Sequence, residues 1–132
     1  MIAVTLAAPG CQELPQIPNV PPTATFVYSP VSPIIAGGTV VTFNASGSRD
    51  TDGLITGYSW DFGDGTPGAQ TPGPTVSHLF PDTPAQCQEN VYTVLLVVSD
   101  DDDDTATASQ RVTVIELPLM ASRECLDRLD PR

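Results

Sequence analysis

Tyr58-Ser59-Trp60-Asp61-Phe62-Gly63-Asp64-Gly65 is the stretch that decides the fold. Successive side chains of a strand point to opposite faces, so the alternating Tyr58, Trp60 and Phe62 put three rings on one face. Gly63-Asp64-Gly65 follows with residues that accept positive φ and end the strand in a turn. The reading is a central strand of a β-sandwich, with Tyr58, Trp60 and Phe62 as structural core.

Outward from that strand the same pattern recurs in short runs. Ala24 to Tyr28 alternates and is stopped by Ser29-Pro30. Thr39 to Ala45 puts Val41, Phe43 and Ala45 on one face. The central strand itself is read over Leu54 to Phe62. A Pro/Gly-rich loop, Thr66 to Pro74, precedes a segment from Thr75 to Phe80. Val91 to Ser99 and Thr105 to Ile115 complete the set, joined by the run Asp100 to Asp104. No amphipathic helical period interrupts them. The expectation is an all-β, antiparallel β-sandwich of about seven strands.

The bulk composition agrees. A chain of 132 residues with 14 Pro and 10 Gly is one domain rich in turns, with short extensions. At 40% hydrophobic it can fill one modest core. The net charge is −11, and the five basic residues are all Arg, with no basic stripe. Nucleic acid is therefore not expected as a partner, nor is an anionic membrane surface.

Four segments follow. Residues 1–11 are apolar and signal-like, too short for the ~20 residues of a membrane span. They end in Ala8-Pro9-Gly10-Cys11, whose small residues before a Cys resemble a lipoprotein cleavage box. Cys11 is a candidate for lipidation, the alternative being an ordinary N-terminus. Residues 12–22 carry Pro15, Pro18, Pro21 and Pro22 and read as an extended linker. Residues 23–116 are the sandwich. Residues 117–132 form a tail in which Ser122 could cap a short helix presenting Leu126 and Leu129.

From about Asn19 to Ile115 the chain resembles a PKD domain, an immunoglobulin-like module. The pieces that carry the resemblance occur in order: Asn19 to Phe26, Val41 to Ser46, Ser48-Arg49-Asp50-Thr51-Asp52-Gly53, Tyr58 to Gly65, Ser77-His78-Leu79-Phe80, Tyr92-Thr93-Val94 and Ser99-Asp100. Three features depart from the pattern. The loop Pro81 to Asn90 is long and contains Cys87; five aspartates follow Ser99; and Leu95 and Val97 occupy outward positions where Thr is usual.

The resemblance implies Ca²⁺ binding by secreted members, at positions matching Asn19, Asp50, Asp52 and Asp100. In a sandwich of this topology those residues lie at one end. Clustered carboxylates repel unless a cation or protons intervene, and Ca²⁺ takes six to eight oxygen ligands. A solvated acidic turn is the other reading. The spacing is not that of an EF-hand, because Ser59 stands where a bidentate Glu is needed.

Other residues carry side chains capable of chemistry. Asp61 and Asp64 read as turn formers rather than a glycosidase pair. His78 sits at the family's strand position, with no Gly-x-Ser-x-Gly elbow to serve. Asn44-Ala45-Ser46 matches a glycosylation sequon but reads as a strand end. Cys87 precedes one of the last two strands and Cys125 follows the other, so a Cys87–Cys125 disulfide is a candidate worth ~2–4 kcal/mol, against free thiols. Leu95 and Val97, turned away from the core, suggest a contact surface, with the C-terminal segment through Leu126 and Leu129 the preferred cover and another molecule the alternative.

The expected function is a non-catalytic extracellular or cell-surface module for protein–protein contact, adhesion or spacing. The alternative is a module that targets a secreted degradative system to a polymer, polysaccharide or protein. A membrane enters only through a lipid anchor at Cys11.

Overall fold

The computed structural model describes residues 14–82 and 88–116, together with Asp127. Cys11, Cys87 and Cys125 lie outside the described residues, and so do the lipidation and disulfide readings that rest on them. Leu126, Leu129 and their cover of the sheet lie outside as well.

Among the described residues eight strands form two sheets: β1 Val27–Ser29, β2 Ile34–Ile35, β3 Val40–Asn44, β4 Ile55–Asp61, β5 Ala69–Thr71, β6 Thr75–Leu79, β7 Gln88–Asp100 and β8 Thr105–Glu116. One sheet has the order β1-β3-β6 and the other β2-β8-β7-β4-β5. The sandwich is thus the expected one, with one strand more than the estimated seven. The two strands the sequence did not reveal are β2 and β5. Each is only two or three residues long and flanked by proline, which hides any alternation. The pairing is also not wholly antiparallel: Ile34 and Ile35 run parallel to Val114 and Ile115.

Alternation builds the core. Val41 and Phe43 of β3 face Val94, Leu96 and Val98 of β7 and Val112 and Val114 of β8, all fully or almost fully buried. Phe43 is the hub, with ring centroids 5.9 Å from Trp60, 5.5 Å from Phe62 and 5.8 Å from Tyr28. Trp60 and Phe62 are buried, while Tyr58 is half-buried and packs on the edge of the same cluster. Phe26 meets Trp60 edge-on at 5.3 Å and 80°, a preferred aromatic geometry. Each such ring contributes roughly 1.5–3 kcal/mol by leaving water.

Two contacts fix the layers. Gln110 Nε2 donates to the carbonyl of Phe26, and Tyr28 Oη donates to the carbonyl of Arg111 at 3.2 Å. Gly63 ends the central strand at φ +72°, and a Cβ there would collide with the carbonyl oxygen of Thr93. Only glycine serves both the turn and that close approach.

Candidate functional site

The acidic end assembles as the chain order suggested. The loop after β3 and the loop between β7 and β8 meet the segment that precedes β1. Asn19 Nδ2 donates to Asp100 Oδ2 at 2.8 Å and to Asp104 Oδ2 at 3.0 Å. The backbone N–H of Val20 donates to Asp52 Oδ2 at 3.0 Å. Leu54 N–H reaches Asp101 Oδ1 at 2.8 Å. The spacer read over 12–22 is therefore docked from Asn19 onward, and Pro22 is buried. Gly53 lies where these loops touch. A Cβ there would collide with Asp101 Oδ1 and come within 2.8 Å of Asp50 Oδ2.

Charge at this end is divided unevenly. Asp100 is 2% exposed. Burial pushes its carboxyl up, but bonds from Asn19 and from the backbone N–H groups of Asp104 and Asp102 outweigh that and hold it below the ordinary value. Asp102 is pushed up, by desolvation and by the charges of Asp101, Asp100, Asp52 and Asp104. Asp50 Oδ1 accepts from the N–H of Asp52 at 3.2 Å, whereas Asp50 Oδ2 is hidden from solvent without a hydrogen-bond partner.

The donor set is rich in oxygen, as Ca²⁺ requires, and Asp50 Oδ2 is unclaimed. Several of the other oxygens are already met by N–H donors. A cation would compete with those bonds. Among the described residues no three His, Cys, Asp or Glu side chains stand together as a ready metal cluster.

The strand–turn–strand around His78 forms a second cluster. His78 Nε2 lies 2.7 Å from Asp64 Oδ2, with the Asp64 side chain 0% exposed. Thr66 donates to Asp64 Oδ1 through both its N–H, at 3.0 Å, and its hydroxyl, at 2.6 Å. Burial raises the Asp64 carboxyl, and the bonds from Thr66 and His78 bring it below the ordinary value. The imidazole stacks on Phe62 at 3.7 Å and 3°. This pair braces the turn against β6. Asp61 likewise accepts from the N–H of Gly63 at 2.9 Å, as a turn former. Asn44 Oδ1 accepts from Ser46 N–H at 2.9 Å, a local turn at the strand end.

The outer face of the larger sheet is the third feature. Val91 is 48% exposed, Leu95 38% and Ile35, on the edge strand beyond β8, 47%. Val97 is half-buried on the same face. β7 and β8 are paired continuously from Gln88↔Glu116 to Ser99↔Thr105, so this face is held on the longest ladder of the molecule. Sequence reasoning found Leu95 and Val97 but not Asp101, Asp104 or the partner of His78. The five-aspartate run marked the first two; nothing local marked the last.

The PKD domain profile matches residues 19–114. No curated protein sequence matches the chain. Among solved structures, the PKD1 domain of Vibrio anguillarum Epp is 29% identical, with a TM-score of 0.56, covering 76% of this chain and 100% of that one. The PKD1 domain of the Vibrio cholerae metalloprotease PrtV is 30% identical, with a TM-score of 0.51 and coverage of 72% and 98%. A chain from work on the promiscuous specificity of carbohydrate-binding modules of the β-sandwich superfamily is 32% identical, with a TM-score of 0.65. That match covers 76% of this chain but spans only 36% of the other. Among the described residues no helix is long and apolar enough to cross a membrane. Profile, structures and the ordered sequence pieces agree, and the chain belongs to the PKD domain family.

Proposed function

We propose that this chain is a non-catalytic extracellular or cell-surface module whose work is protein–protein contact, adhesion or spacing. The observation that carries this reading is the outer face of the five-stranded sheet, where Val91 and Leu95 stand exposed on a continuously paired two-strand ladder. Apolar side chains on a flat face contribute once a partner removes them from water. Beads coated with the chain are expected to adhere to immobilised collagen, and Leu95→Asp to abolish adherence while leaving the dichroism spectrum unchanged. Adherence that is indifferent to the substitution overturns the reading.

A second reading, targeting to an extracellular polymer, is favoured by the likeness to part of a chain from work on carbohydrate-binding modules. Retention of the protein on insoluble chitin, cellulose or collagen that Leu95→Asp leaves unchanged supports it.

Ca²⁺ at the acidic end belongs to the same proposal and is supported by the unclaimed Asp50 Oδ2. Asp50, Asp52 and Asp100 would supply carboxylate oxygens and Asn19 its amide oxygen. The ion would neutralise the end at which the linker joins the sandwich.

A further inference from the structure

The outer face of the larger sheet is interrupted near β5 by a cleft of about 430 Å³. Its floor comes from register neighbours: Gly57 is paired with Ser99, and Ser59 with Gln70. Thr56 is the extra residue at the irregularity between Ile55 and Gly57. Its hydroxyl donates to the carbonyl of Asp100 at 2.8 Å, which fixes the rim. Bulges of this kind redirect side chains and often border functional sites. Gly57 leaves the floor open, because a Cβ there would meet no atom within 4 Å.

The chemistry of the lining is selective. The chain carries 16 acidic residues, yet no charged side chain lines this cleft. Among the described residues, the side chains of Ser59, Gln70 and Ser99 make no hydrogen bond within the protein, although neighbouring Thr56 and Thr71 do. Hydroxyl and amide groups supply donors and acceptors together. Pro72 adds apolar surface. A charged ligand finds no counter-ion here, and a purely apolar one leaves the polar groups unpaired. A neutral polyhydroxyl ligand matches both halves. The volume falls within the range of small-ligand sites, about 300–1,000 Å³.

We propose that this cleft binds a neutral saccharide unit, with Gln70, Ser59 and Ser99 as its hydrogen-bonding residues and Gly57 as the opening that admits it. The proposal rests on the polymer-contact reading and narrows it to a sugar and to one place on the sheet.

The test is amide-resolved NMR titration of the full chain with cellohexaose, chitohexaose and mannohexaose. One of these is expected to give saturable shifts confined to residues 56–59, 70–72 and 97–99. Gly57→Leu, which fills the cleft from an open position, is expected to weaken binding at least tenfold with the melting temperature little changed. Gln70→Ala, at an exposed strand position, should weaken it several-fold and serves if the first variant does not fold. Absence of shifts with all three sugars, or shifts elsewhere on the surface, overturns the proposal. So does a collagen peptide that shifts the same residues while the sugars do not. Adherence to collagen in the bead assay without any sugar-dependent shift removes the cleft and leaves the contact reading standing.

Discussion

His78 and Asp64 are joined by a 2.7 Å contact in which the carboxylate is wholly shielded by its surroundings. The pair links the turn after the central strand to β6 of the opposite sheet, so it fastens one layer to the other. Replacing Asp64 by Ala leaves the Thr66 donors and the imidazole without their acceptor, and is expected to cost about 1–3 kcal/mol. Urea denaturation of the wild type and of Asp64→Ala measures it directly.

The same residue sets an acid limit. Asp64 titrates below its ordinary value, as does Asp100. Stability from a depressed carboxyl is fully present above its unfolded value, about 3.9, and is lost as pH falls through the lower folded value. The wild type should therefore lose stability below about pH 4, and Asp64→Ala should show a shallower decline. Melting curves at pH 7, 4 and 2.5 check this, and parallel curves contradict it.

Asp102 has the opposite sign. Its folded value is raised, partial desolvation and the charges of its aspartate neighbours both opposing ionisation. A raised carboxyl favours the folded state only while protonated, and that advantage disappears as pH rises through the folded value. Asp102→Asn is expected to raise Tm slightly at pH 7, less at high salt, and to have no effect at pH 3. Scanning calorimetry at the two pH values distinguishes these outcomes.

For the acidic end, isothermal titration with CaCl₂ is expected to give a single-site heat that Asp50→Ala removes. A wild-type titration without heat ends the calcium proposal.

Gly63→Ala must strain a φ of +72° and push against Thr93. The expected loss exceeds about 1 kcal/mol, since an alanine gains here only a small restriction of the unfolded chain. Trp60→Ala, from a site 2% exposed, should cost roughly 3–5 kcal/mol. In the wild type the indole emission should be blue-shifted, as befits a ring shut away from water. Chemical denaturation and fluorescence together report on all three.

Much of this was legible in the residues. The Tyr58-Trp60-Phe62 alternation located the central strand because a period of two survives in any strand long enough to show it. The acidic end was legible through the family resemblance, whose topology puts Asn19, Asp50 and Asp100 on connections at one end of the sandwich. β2 and β5 were not legible, because Ile34–Ile35 and Ala69–Thr71 are too short for an alternation to repeat. The Asp64–His78 contact depends on how β6 packs against a turn fourteen residues earlier, which spacing does not encode. The cleft at Gly57 was hidden for another reason. It consists of small side chains beside a gap, and a gap has no letter in a sequence.

The parallel pairing of β2 with β8 bears on how the molecule resists force. The chain enters β2 at one end of that ladder and leaves β8 at the opposite end, with Ala36 N–H adding a bond to the carbonyl of Ile115 at 3.0 Å. Once the β1–β3 pairing ahead of it gives way, tension between the two ends of the polypeptide loads these bonds in shear, all at once, instead of unzipping them singly. A tethered module built this way yields abruptly, by sliding, at the seam where its early and late segments lie side by side.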